Sequence, residues 1–169
     1  MRTSLVFLIC LLVVLVGCSS PPAPTPVPYT GAALHTQTEL IALLNAMPDV
    51  HTECHEGEPT SDRRLMLCSQ TMANGEQVDY HLLSQSDDEL VSLDALVSAA
   101  SQSAAAEIAT PLFTSLLAHL AQPADRPTLQ SFLDAGITRQ AQTEAAGMSV
   151  ILNDAAPANG LSLRLLLGD

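Results

Sequence analysis

The sequence predicts an α+β fold: an antiparallel sheet with helices packed on one of its faces. Two observations carry this. Asn74-Gly75 and Asn159-Gly160 each punctuate runs in which apolar and polar residues alternate, and Asn-Gly tolerates the positive φ that tight hairpin turns need. Elsewhere, around residues 38–46 and 108–120, leucines recur at helical rather than strand spacing. Strand runs and helical runs held in separate stretches give the α+β class.

Taken in order, the folded domain is expected over residues 36–169. Thr36 and Glu39 have capping-box spacing, and Leu40, Leu43 and Leu44 form a helical stripe that Pro48 ends. Strands are predicted at about 50–55, 64–72 and 77–83. In the last of these Val78, Tyr80 and Leu82 alternate with Gln77, Asp79 and His81, so one face is buried and the other wet. Ser86 and Glu89 read as a second capping box, with Leu90, Leu93 and Val97 on one helix face. A softer Ser/Ala stretch follows at 98–106. Ile108, Leu112, Leu116 and Leu120 then continue a helical stripe, with Pro111 near its start or kinking it. Asp125 and Pro127 open a short helix that Gly136 stops. Strands at about 137–143, 147–153 and 161–167 complete the chain.

This order is compatible with a duplicated α-β-β-β unit. Residues 38–46 resemble 127–135, and laying Asn74-Gly75 on Asn159-Gly160 matches hairpin 65–82 to 150–167. The expected core of the two hairpins is Leu67, Tyr80 and Leu82, with Leu152, Leu165 and Leu167.

The N-terminus has its own logic. Arg2 is followed by an unbroken apolar run from Leu5 to Val16 and then by Leu15-Val16-Gly17-Cys18. A charge, a short apolar core and a small residue before a cut site describe a secretory signal, and a run of about a dozen residues falls short of the roughly 20 of a bilayer span. The tetrad resembles the lipobox of bacterial lipoproteins. That resemblance implies cleavage of residues 1–17, a diacylglyceryl group on Cys18, and attachment to the cell membrane facing the extracytoplasmic side, with Ser19 pointing to the outer membrane where the envelope has two. Residues 18–35 are then the lipidated cysteine and a linker. Five prolines between 21 and 28 favour an extended, semi-rigid spacer.

Composition narrows the function classes. The formal net charge is −12, and all six basic residues are arginine. An acidic surface repels phosphate backbones, so no nucleic-acid partner is expected. Without lysine there is no Schiff-base chemistry, no Ser-Lys dyad and no phosphate-loop lysine. Trp is absent, which works against stacking platforms for sugars and bases. Gly147-Met-Ser149 does not complete a nucleophile elbow. The expectation is therefore a non-enzyme without a cofactor, held on the membrane through Cys18 and meeting a protein or peptide partner in the envelope.

Of four cysteines, Cys10 leaves with the signal and Cys18 carries lipid. Cys54 and Cys68 remain, and a pair in an oxidising compartment is expected to be a disulfide. A two-residue turn at Asn74-Gly75 would nevertheless face Leu67 inward and Cys68 outward; a bulge, or a strand 50–55 that packs differently, would reconcile the two. The polar run Asp49 to Glu58 offers the other site. His51, Glu53 and His55 share a strand face, with His81 on the next solvent-facing strand. An alternative function as a transition-metal-binding protein would use His51, His55 and His81. Their spacing matches no zinc motif, and a solvated polar strand and loop is the preferred reading.

Overall fold

The structure is a computed structural model that describes residues 33–47, 50–58, 62–72, 75–145, 147–154 and 156–167. The expected signal at 1–17, the lipidated Cys18 and most of the proline spacer lie outside the described residues, as do Pro48 and Asn74.

Among the described residues there are three helices and seven strands. The chain runs α1 (Gln37–Asn45), β1 (His51–Glu56), β2 (Arg63–Thr71), β3 (Gln77–Gln85), β4 (Leu90–Ser98), α2 (Gln102–Leu120), α3 (Arg126–Asp134), β5 (Ala141–Ala145), β6 (Met148–Leu152) and β7 (Gly160–Leu167). All strands join one antiparallel sheet in the order β1-β2-β3-β4-β7-β6-β5. The helices cover one face. The α+β class read from the sequence is thus the class observed.

α1 forms where its cap demands. Glu39 N–H donates to Thr36 Oγ1 at 3.1 Å, and Glu39 Oε2 accepts from the N–H groups of Thr36 (3.2 Å) and His35 (3.1 Å). These satisfy donors that a helix start otherwise leaves open. They also hold the Glu39 carboxyl below its ordinary pKa, the His35 N–H being the largest cause. Leu40 and Leu44 are fully buried. α2 starts on Ser101, whose side chain accepts from Ala104 N–H at 3.2 Å. Pro111 lies inside it rather than near its start, but on the exposed side, while Leu112, Phe113, Leu116 and Leu117 pack inward. The core is closed by Tyr80, Leu82, Leu93, Leu163 and Leu165 from the sheet.

A buried polar relay pins α1 to the sheet. Tyr80 OH donates to Gln70 Oε1 at 2.6 Å, and Gln70 Nε2 donates to Leu44 C=O at 3.0 Å and to Thr52 Oγ1 at 3.1 Å. The Leu44 carbonyl at the end of α1 thereby gains side-chain donors beside the N–H of Met47. Burial raises the Tyr80 phenol above its ordinary range, so it stays a donor.

Several expectations are corrected. The segment at 90–97 is strand β4, not a helix. Its turn holds Asp88 at φ 77°, with Asp88 N–H donating to Gln85 C=O at 3.2 Å and Gln85 N–H to Glu89 C=O at 2.8 Å. Ser86 and Asp87 therefore make a hairpin turn rather than a cap. Leu83 pairs with Ser92 and Ser84 with Leu90, so Val91 is an extra, bulged residue. The bulge puts Leu90 and Leu93 on the same buried face, a spacing that imitates a helix.

The β2–β3 connection has the same design. Gly75 N–H donates to Met72 C=O and Met72 N–H to Glu76 C=O, each at 2.9 Å, with Gly75 at φ 84°. This is a three-residue connection, one longer than expected. A one-residue slip flips every side chain: Cys68 pairs with Tyr80 and is buried, whereas Leu67 pairs with His81 on the open face and is only half-buried.

The shift also resolves the cysteine conflict. Cys54 and Cys68 stand directly opposite on β1 and β2 and form a disulfide, with a Cα–Cα distance of 4.1 Å.

The strand expected at 137–143 begins only at Ala141, because Asn153 Nδ2 holds the carbonyls of Ile137 and Arg139 in a loop at 2.7 and 2.9 Å. The helix-then-three-strands order does recur as α1-β1-β2-β3 and α3-β5-β6-β7. The two Asn-Gly pairs are not equivalent, however. Gly160 is not left-handed. It follows a turn closed by its N–H on Pro157 C=O, where an added Cβ would stand 3.0 Å from Val97 O and closer still to Pro157. Leu167, expected in the core, is only half-buried at the end of β7.

Candidate functional site

Because side chains alternate across a strand, the residues between the core positions must face away from the helices. The ladder registers align them into rows across the whole sheet. One row reads His55, Leu67, His81, Asp94, Arg164, Ile151 and Gln142 from β1 to β5. Beside it on one side lie Leu65, Leu83, Ser92, Leu166, Ser149 and Glu144. On the other side lie Glu53, Ser69, Asp79, Leu96 and Ser162.

This open face is two-toned. Leu65, Leu67, Leu83, Leu96 and Ile151 are half-buried among their neighbours, and Leu166 is 44% exposed. Leu65 and Leu83 are direct cross-strand partners, and Leu166 continues their row beyond Ser92. The polar tone is mainly acidic. Arg164 Nε donates to Asp94 Oδ1 at 2.6 Å, and its NH1 reaches Asp154 Oδ2 at 3.4 Å. The Asp94 hydrogen bond, with its charge, holds the guanidinium pKa above the ordinary value. One cation thus bridges two carboxylates. Around it is a hollow of about 150 Å³, lined among others by Asp79, His81, Leu96 and Ser162. A second depression of about 480 Å³ lies at the end of β6 and β7, against Ser149 and Leu166.

The structure separates the three histidines named from the sequence. His51, His55 and His81 do share the open face. His51 and His55, four residues apart on β1, are about 13 Å from each other, and His81 lies two strands from His55, about 10 Å. His51 Nε2 is instead 3.2 Å from Glu53 Oε1, both exposed. Among the described residues no three His, Cys, Asp or Glu side chains gather in a way that could hold a metal ion. Ser162 and His81 line the same hollow, yet they too stand two strands apart, about 10 Å across the sheet. That is too far for the hydrogen bond a serine nucleophile needs from its base.

Sequence reasoning missed the Asp94–Arg164–Asp154 group. Its signal was the alternation Leu93-Asp94-Ala95-Leu96-Val97 set against Leu161-Ser162-Leu163-Arg164-Leu165, two strands whose inward residues are apolar and whose outward charges are opposite.

Among the described residues no helix is long and apolar enough to cross a membrane. No known family model matches the chain, and no significant match was found among curated proteins or solved structures.

Proposed function

We propose that the chain is a lipid-anchored, extracytoplasmic recognition module without catalytic activity of its own, and that the open face of its sheet is the surface that meets a partner. One observation carries this reading. Seven strands present a full face that the chain's own described helices leave bare, and that face holds half-buried Leu65 and Leu83 and exposed Leu166 beside ordered charges. Apolar side chains left facing water among ordered charges on an uncovered sheet face are the kind of surface that meets a partner. The anchor rests on the lipobox-like tetrad and the proline spacer, which would hold the domain at most some tens of ångströms from the bilayer at about 3.1 Å per residue.

Two measurements test the reading. Mass spectrometry of protein extracted from membranes should find Cys18 as the first residue, carrying a diacylglyceryl adduct; an intact Met1 would remove the anchor. A photo-crosslinking side chain at Leu166, on the open face, should label a partner in intact cells. The same group at Glu107, on the exposed side of α2, should not. Equal labelling from both positions would reject the open face as the binding surface.

A further inference from the structure

Resting on that reading, we infer that the occupant of the open face is a basic amphipathic segment of a partner protein, with aliphatic side chains along one side and lysine or arginine along the other. The geometry fixes both requirements. The row of Leu65, Leu83 and Leu166 crosses four strands at one end of the face. One pleat repeat away, about 7 Å, begins the acidic ground of Asp94, Asp154 and Asp79 around the 150 Å³ hollow. An occupant lying along the leucine row therefore presents its other side to carboxylates.

The charge balance sets the sign. Arg164 is already shared between Asp94 and Asp154. Among the described residues Asp79 accepts a neutral hydrogen bond, from Gln77 Nε2 at 2.8 Å. Arg63, the other guanidinium on this face, stands beyond the leucine row, away from the hollow. The hollow thus carries more negative charge than its own cation cancels, and an incoming ammonium or guanidinium completes it. The same argument disfavours two nearer occupants. A second copy would lay acid on acid, at a net charge of −12 per chain. The proline spacer at 19–32 has no charged residue at all. The chain also enters the fold away from this face, with Ala33 buried and Leu34 N–H bonded to His119 C=O at the end of α2.

The test uses the full lipidated protein in detergent and a fluorescent heptapeptide, Leu-Lys-Leu-Lys-Leu-Lys-Leu, whose aliphatic and basic side chains fall on opposite sides of an extended strand, with its Lys→Glu counterpart. Anisotropy should show binding of the basic peptide only, weakening as salt rises. Asp79→Asn should reduce affinity about tenfold, the size of a charged hydrogen bond lost, and Leu83→Ser with Leu166→Ser should reduce it comparably. Thermal melts of each variant confirm folding. If the leucine variants abolish binding while Asp79→Asn leaves it unchanged, or if the acidic peptide binds as well, the basic-partner inference falls and the open-face reading stands. If neither set of variants weakens a peptide that does bind, both fall. Absence of any binding by the basic peptide, or sedimentation as a dimer that Leu166→Ser dissolves, overturns the inference in favour of another occupant.

Discussion

The two faces of this sheet are made by the same strands, residue by alternate residue, and they differ in almost every physical respect. Tyr80, Leu82, Leu93, Leu163 and Leu165 on the covered face are completely buried. Their immediate neighbours His81, Leu83, Asp94, Arg164 and Leu166 keep contact with water. The covered face satisfies its few polar groups internally, as Gln70 and Tyr80 do. Among the described residues only Ser84 Oγ is buried there without a hydrogen-bond partner. The open face instead spends its polar groups on ion pairs at half-exposed positions, where such pairs are worth roughly 0–1 kcal/mol. Stability therefore resides on one face, and the other is free to carry recognition.

The sharpest way to break this division is to truncate one residue on each side. Phe113→Ala, from the helix layer against the covered face, should cost about 3–5 kcal/mol through lost burial and a residual cavity. Leu166→Ala on the open face should stay within roughly 0.5 kcal/mol, as surface substitutions do. Urea titration of both variants checks this. A large loss at Leu166 would mean that the open face is structural after all.

The disulfide sharpens the comparison at the sheet's edge. Among the described strands β1 pairs only with β2, and its residues other than Thr52 are exposed. The bond between Cys54 and Cys68, 14 residues apart, ties this strand to the buried side. Closing a loop of that length should contribute about 2–4 kcal/mol. Calorimetry of the Cys54→Ala/Cys68→Ala variant should show the corresponding fall in Tm. An unchanged Tm would show that β1 is held by its ladder alone.

A third, smaller effect isolates the polar relay of the covered face. Tyr80→Phe removes the donor to Gln70 Oε1 and strands that oxygen in the core, at a cost of about 1–3 kcal/mol. Tyr80→Phe combined with Gln70→Leu, which removes both partners, should cost less than the two single variants summed. Strict additivity in that double-mutant cycle would deny the relay its coupling.

How far the sequence could be read also divides along physical lines. α1 was legible because Thr36 and Glu39 are local: the cap is complete within four residues. β2 and β3 were legible as strands, but their register was not. Asn-Gly sits equally well in a two-residue turn and at the end of a three-residue one, and which forms is decided by the Met72–Glu76 hydrogen bond rather than by composition. The requirement that Cys68 meet Cys54 was the better guide to register, since a covalent partner tolerates no slip. β4 was misread because one bulge at Val91 converts strand spacing into the three- and four-residue steps of a helix. The shared face of His51, His55 and His81 followed from simple alternation. The Asp94–Arg164 pair did not, because its residues are 70 positions apart and meet only through the β4–β7 ladder. Local signals thus gave most elements, and long-range pairing gave the candidate site.

The smallest effect concerns pH, and it belongs to neither face but to the cap that seats α1 over the sheet. Glu39 accepts the N–H groups of His35 and Thr36, which favours its ionised form and lowers its pKa in the folded chain. In the unfolded chain the group returns to its ordinary value. Between those two values the unfolded state binds more protons than the folded one, so stability rises with pH there. The contribution is fully present above the unfolded value and is lost as pH falls through the lower, folded one. The carboxylate is exposed, so solvent screens it and the effect should be smaller than the loss of the Tyr80 hydroxyl. Only a difference measurement isolates Glu39 from the chain's other acidic residues. Urea-unfolding free energies of wild type and Glu39→Gln, taken from pH 2.5 to 7, should converge at the acid end and separate as pH rises, with wild type the more stable. A gap of constant size across the range would show that Glu39 acts through its hydrogen-bonding shape rather than its charge, and would remove the ionisation from the account of the cap.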